Sequence, residues 1–160
     1  MKKNADLSAF FFQRLQVKKP EAERSGHEVS LIARYEEMPY WNLIGLKVDS
    51  IEENQARIKL KVTDDLLNGN NILHGGVVSS LLDAVMGINL KLLIGEASYA
   101  TVSLTSQFIK AVRPDETIYA TAEMVQNGRS VACMEARLYN ESGEMISIGL
   151  GSFKVSRARS

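Results

Sequence analysis

The feature that most constrains this chain is the stretch 71–94, NILHGGVVSSLLDAVMGINLKLLI. Apolar residues stand at 77, 78, 81, 82, 85, 86, 88, 90, 92, 93 and 94, too many for one stripe, so the pattern predicts a helix covered on most sides. Gly95 follows as a natural C-terminal cap. Within the same helix Gly76, Ser79, Ser80, Asp83 and Gly87 are related by steps of three, four and seven, which lines up small or polar side chains where another backbone or a thin ligand could approach. Asp83 has no Lys or Arg three or four residues away, so the helix offers it no ion-pair partner. A buried carboxylate in that position has to be satisfied from elsewhere or used.

A helix that must be wrapped needs a sheet, and the rest of the chain supplies strands. Residues 46–51 and 55–62 read as two, the second alternating Ala56, Ile58, Leu60, Val62 with Arg57, Lys59, Lys61, one face buried and the other wet. The stretch 63–71 is rich in turn formers and leads into the helix. Four more strands follow. Residues 99–109 place Ala100, Val102, Leu104 and Phe108 on one face; 117–126 alternate Ile118, Ala120, Ala122, Met124; 130–140 and 144–155 complete the set. Asn127-Gly128 signals a hairpin. The expected fold class is α+β, with a curved, mostly antiparallel sheet around one long helix.

Composition narrows the function classes. At 160 residues and 45% hydrophobic content, the chain can bury about two-thirds of its unfolded surface as one domain. Basic and acidic residues number seven and six before residue 39, five and seven over 39–97, and seven and six after, so no basic face for nucleic acid is expected. Cys133 is alone, which excludes an internal disulfide and fits a cytoplasmic setting; no metal site is expected. The N-terminus is basic with a short apolar patch interrupted at Gln13 and Arg14, too short for a membrane span. Residues 5–17 read as an amphipathic helix and 18–27 as a linker, so 1–38 form a helical extension and 39–160 the main domain.

Asn68, the triplet His74-Gly75-Gly76 six residues later, and Asp83 nine residues after the histidine together resemble the hotdog-fold acyl-CoA thioesterases of the PaaI-like (phenylacetate-degradation) type. TVSL at 101–104, RPDET at 113–117, GRS at 128–130 and GLGSF at 149–153 are similar to the same family's strands and turns, and the likeness runs over about 40–155. The resemblance implies hydrolysis of an acyl-CoA thioester in a site shared between two subunits of a homodimer, often a dimer of dimers. Coenzyme A is then part of the substrate and no cofactor is implied. Carried over, Gly75 is the oxyanion donor, Asp83 the nucleophile or general base, and Asn68 and His74 polar helpers. Gly76 lies against the substrate, Thr101 or Ser103 is the hydroxyl on the strand after the helix, and Arg129 with Ser130 meets coenzyme A, with Lys110 and Arg113 as companions.

The chemistry suits these residue types. A thioester oxygen gains charge as its carbon is attacked, and free N–H groups at a helix N-terminus hold such charge. A carboxylate can attack directly or take a proton from water. Each residue also has a plainer reading: His74 as a helix cap, the glycines as tight packing, Asn68 as a turn residue, Asp83 as a hydrogen-bond partner across an interface. Two other activities fit the same framework: a non-catalytic acyl-CoA-binding regulatory module, and an acyl-thioester dehydratase or hydratase, for which only His27 and His74 are available.

Overall fold

The computed structural model describes residues 26–156, so the helix expected over 5–17 and the linker up to residue 25 lie outside the described residues. Two short helices open the described chain, α1 (Gly26–Glu36) and α2 (Pro39–Ile44). Strands β1 (Leu46–Glu52) and β2 (Gln55–Lys61) follow, then a single 3-10 turn at Asp64–Leu66 and the long helix α3 (Gly75–Ile94). Strands β3 (Ser98–Phe108), β4 (Thr117–Asn127), β5 (Val131–Asn140) and β6 (Met145–Ser156) complete it. All six strands lie in one antiparallel sheet, in the order β1-β2-β4-β5-β6-β3. Each strand expected from alternation is present to within a residue or so, and α3 opens at the His74-Gly75-Gly76 triplet.

The sheet curls around α3, which packs on β2, β3, β4, β5 and β6. Leu81, Leu82, Val85, Met86, Ile88 and Leu90 are fully buried, as a helix apolar on most sides requires. Small residues make the approach possible. Ala120, Ala122, Ala132 and Ala136 are buried in the sheet, and a Cβ on Gly149 or Gly151 would meet Leu82 Cδ1 at 3.0 Å or Met86 Sδ at 2.8 Å. By length and apolarity alone α3 could cross a membrane; here it is the core helix. It carries one buried amide, Asn89, whose Oδ1 accepts from the Ala56 N–H at 2.8 Å while Nδ2 donates to the Ala56 and Val85 carbonyls at 2.9 and 2.8 Å. This side chain pins α3 to the start of β2.

Three findings depart from simple alternation. The polar face of β2 is not uniformly wet: Arg57 is buried, donating to Asp49 at 2.7 Å and lying over the Tyr119 ring. A bulge in β1 between Val48 and Ser50 turns Asp49 to that side, where Lys59 joins it at 3.2 Å. A second bulge, between Thr101 and Ser103, shifts the phase of β3. Tyr99 and Thr101, then Leu104, Ser106 and Phe108, therefore face the helix, in place of the expected Ala100, Val102, Leu104, Phe108; Val102 is 66% exposed. Third, residues 28–38 are not only an appendage. Leu31 and Tyr35 belong to the core, and Glu36 accepts the Val48 N–H at 2.9 Å, which holds α1 along β1.

Candidate active site

His74 is the N-cap of α3. Its backbone is extended, and Nδ1 accepts the Gly76 N–H at 2.9 Å. Gly76 has to be small, since a Cβ there would come within 3.0 Å of that nitrogen. The capping role of His74 is thus observed, and it occupies the Gly76 amide. The neighbouring Gly75 N–H has no partner among the described residues, so one first-turn donor of a long helix stays available to an incoming oxygen.

Asn68 braces the loop before the helix, its Oδ1 accepting from the Asn70 N–H at 2.9 Å and, at a longer 3.5 Å, from the Ile72 N–H. Its backbone closes the same loop through Asn68 N–H to Ile72 O and Asn71 N–H to Asn68 O. Asn68, Gly75, Phe108 and Lys110 line one cleft of about 260 Å³ at this end of the helix. Lys110 is paired with Glu144 across the β3 and β6 ends, which holds its ammonium beside that cleft. Hydrogen bonds from Lys110 and Asn140 keep the Glu144 carboxyl below the usual range.

Asp83 lies two turns further along, in a different cleft of about 370 Å³ lined by residues of α1 to α3 and β3. It is half-buried and has no ion pair among the described residues. The Thr101 hydroxyl donates to Asp83 Oδ1 at 2.9 Å; of the two hydroxyl candidates Thr101 reaches the carboxylate, while the β3 bulge leaves Ser103 on the opposite face of the strand. The rest of the small-residue line is filled from the same chain. Ser79 meets Ser106 at 3.3 Å; Ser80 donates to the Gly76 carbonyl at 2.8 Å, so its contact with Tyr40 at 2.6 Å is one in which the phenol donates. At Gly87 a Cβ would stand 2.8 Å from the Tyr99 hydroxyl.

Tyr99 and Tyr35 face each other at 3.1 Å between hydroxyls. Burial pushes both phenols up, the Asp83 charge adding to the rise at Tyr99, so both stay protonated at neutral pH. The sequence reading passed over this pair and Tyr40. The cluster Tyr35, Met38, Tyr40, Trp41 beside a helix with a bare Gly87 is the signal that could have found them. Arg129 and Ser130 sit in the β4–β5 turn, where the Gly128 N–H meets Val131 O and the Val155 N–H meets Ser130 O. They line neither cleft of a single chain; neither does Arg113.

The capped helix N-terminus, the strand-held carboxylate and the sheet wrapped on one helix stand beside a sequence match. The model of the Thioesterase superfamily matches residues 70–147. The chain has the hotdog fold, and over that span it is similar to the thioesterase superfamily. It is similar to the acyl-coenzyme A thioesterase PaaI of Escherichia coli, 26% identical over 121 residues that cover 74% of this chain and 84% of that protein. The solved PaaI structure from the phenylacetic acid degradation operon of that organism superposes with a TM-score of 0.71 at 22% identity, over 78% of this chain and 89% of that one. A hypothetical thioesterase protein of Streptococcus pneumoniae solved with coenzyme A gives 0.65 at 22% identity, over 72% and 88%. Asp83, Thr101 and the Gly75 amide all lie inside the matched span.

Proposed function

We propose that the chain hydrolyses acyl-coenzyme A thioesters to the free acid and coenzyme A, in sites each assembled from two copies of it. The observation that carries this reading is the separation of the two reacting groups. The Gly75 N–H and the Asp83 carboxylate lie eight residues apart on one straight helix, about 12 Å along its axis, and open into different clefts. One carbonyl needs both within about 3 Å. A two-fold axis that sets two α3 helices antiparallel meets this need, with Gly75 of one chain opposite Asp83 of the other.

In that arrangement Thr101 orients Asp83 through Oδ1 and leaves Oδ2 for the reaction. Either the carboxylate removes a proton from a water that attacks the thioester carbon and passes that proton to the leaving sulfur, or it attacks the carbon itself to form a mixed anhydride. Water then hydrolyses the anhydride to the free acid, one proton of that water going to the coenzyme A thiolate. In both routes negative charge gathers on the carbonyl oxygen against the Gly75 N–H before the C–S bond breaks. Lys110, at the Gly75 cleft, is the basic residue best placed for the phosphates of coenzyme A; Arg129 and Ser130 would have to act from the second copy. The likeness to a thioesterase solved with coenzyme A supports the same ligand.

The test is coenzyme A release from short, medium, long and aryl-acetyl thioesters, with hydration of an enoyl thioester run alongside. Turnover in the first assay is expected. Tight binding of these esters without release of coenzyme A, or hydration alone, would replace the reading with one of the alternatives named above.

A further inference from the structure

Two phenols form part of the wall of the cleft that holds Asp83. Tyr35 from α1 and Tyr99 from β3 meet there through their hydroxyls at 3.1 Å, and both line the cleft together with Met38, Trp41, Ala84 and Leu104. Each ring is held from behind. Tyr35 is 6% exposed and packs on Trp41 with ring centroids 5.2 Å apart, and Tyr99 packs edge-on against the fully buried Phe153 at 6.0 Å. The Tyr99 hydroxyl is seated over Gly87, with no room for a single methyl between them. A wall fixed on both sides cannot yield to a ligand by turning a side chain. The wall is also polar. Two phenols carry two O–H protons and the mutual hydrogen bond uses one, so an alkyl end pressed against the pair covers a donor without replacing its water.

We propose that the Tyr35–Tyr99 pair closes the distal end of the acyl chamber and sets the longest acyl group the enzyme accepts, with Tyr35, from a helix that precedes the family-matched span, as a specificity-determining residue. The chamber, about 370 Å³ with Asp83 beside it, stands at the small end of ligand cavities. The substrates it fits are short acyl groups whose whole length lies between the carboxylate and the two phenols. This inference rests on the thioesterase reading above.

The test measures kcat/KM on saturated straight-chain acyl-coenzyme A esters, two carbons apart, for the wild type, Tyr35→Leu and Ala84→Met, with thermal unfolding as the check on folding. The wild type should fall off sharply at one chain length, since each methylene too many in an apolar pocket costs about 10- to 200-fold. Tyr35→Leu, which removes one half of the wall, should raise the ratio of the first excluded ester to the best one by about 10-fold or more. Ala84→Met fills the same chamber from α3 and should move the fall-off to shorter esters, so the proposal stays open to refutation if Tyr35→Leu does not fold. No hydrolysis of any ester by the wild type overturns the thioesterase reading itself. Hydrolysis with a fall-off that neither folded variant moves overturns the wall.

Discussion

Asp83 earns its place through one neighbour, the Thr101 hydroxyl at 2.9 Å, and otherwise faces its cleft. Asp83→Asn keeps shape and the Thr101 contact while removing the attacking or proton-accepting oxygen. Steady-state kinetics should show kcat lower by about 10²-fold or more with the fold intact; near-normal turnover would sink the assignment. Asn89 is the structural counterpart on the same helix. Asn89→Leu leaves the Ala56 N–H and C=O, both in the core, without the partners they have now, at a cost of about 1–3 kcal/mol for each. Urea unfolding should give a lower midpoint at unchanged slope. A midpoint equal to that of the wild type would show that β2 finds other partners. How the site residues could be read from sequence divides along the same line. The unpaired carboxylate of Asp83 and the free amide of Gly75 were legible as candidates because both are local properties of one segment. The contact of Thr101, and not Ser103, with Asp83 was not, because it depends on a bulge set by the register of β3 against β6, and no pattern within β3 records its neighbour's register.

At the scale of elements, α3 begins where His74 caps it and offers the Gly75 amide beyond the cap. Gly75 is the first residue of the helix, where proline is tolerated because its φ suits the position and the missing N–H bonds nothing within the helix. A Cβ there stands 3.4 Å from the Phe108 ring, ordinary contact. Gly75→Pro should therefore fold, by circular dichroism, and lose about 10²- to 10³-fold in kcat, the usual loss for a missing oxyanion donor. A folded variant with full activity would remove the helix end from the mechanism. Alternation located the six strands because each has one face on the core, though it assigned the first half of β3 to the wrong face. It misjudged Arg57 because the charge it meets, Asp49, is brought round by a bulge in a different strand. It left α1 and α2 unread because their buried residues, Leu31, Tyr35, Trp41 and Ile44, are too few and too spread to make a helical stripe.

For the whole molecule, the two-copy site makes a quantitative claim. On the proposed shared site, Asp83→Asn and Gly75→Pro chains should each be inactive in both sites of their own dimer, whereas a mixed dimer should restore one site of two. Random pairing makes half the dimers mixed, so about a quarter of wild-type activity should return on co-expression or joint refolding. Proven exchange without recovery would require both groups to act within one chain. The sheet also says how such pairing would stop. Its two margins differ: β1 is flanked by α1, with Glu36 taking the Val48 N–H, whereas β3 has β6 on one side and, among the described residues, no strand on the other. A sheet with two open margins can add copies at both and grow into a fibre. With a single open margin, growth can proceed only by one β3 meeting another, after which nothing is left to extend. The contact of α1 with β1 thus leaves β3 as the margin open to pairing, and unseating α1, by Glu36→Ala with Leu31→Asp for example, should shift the protein toward larger assemblies, as read by size-exclusion chromatography.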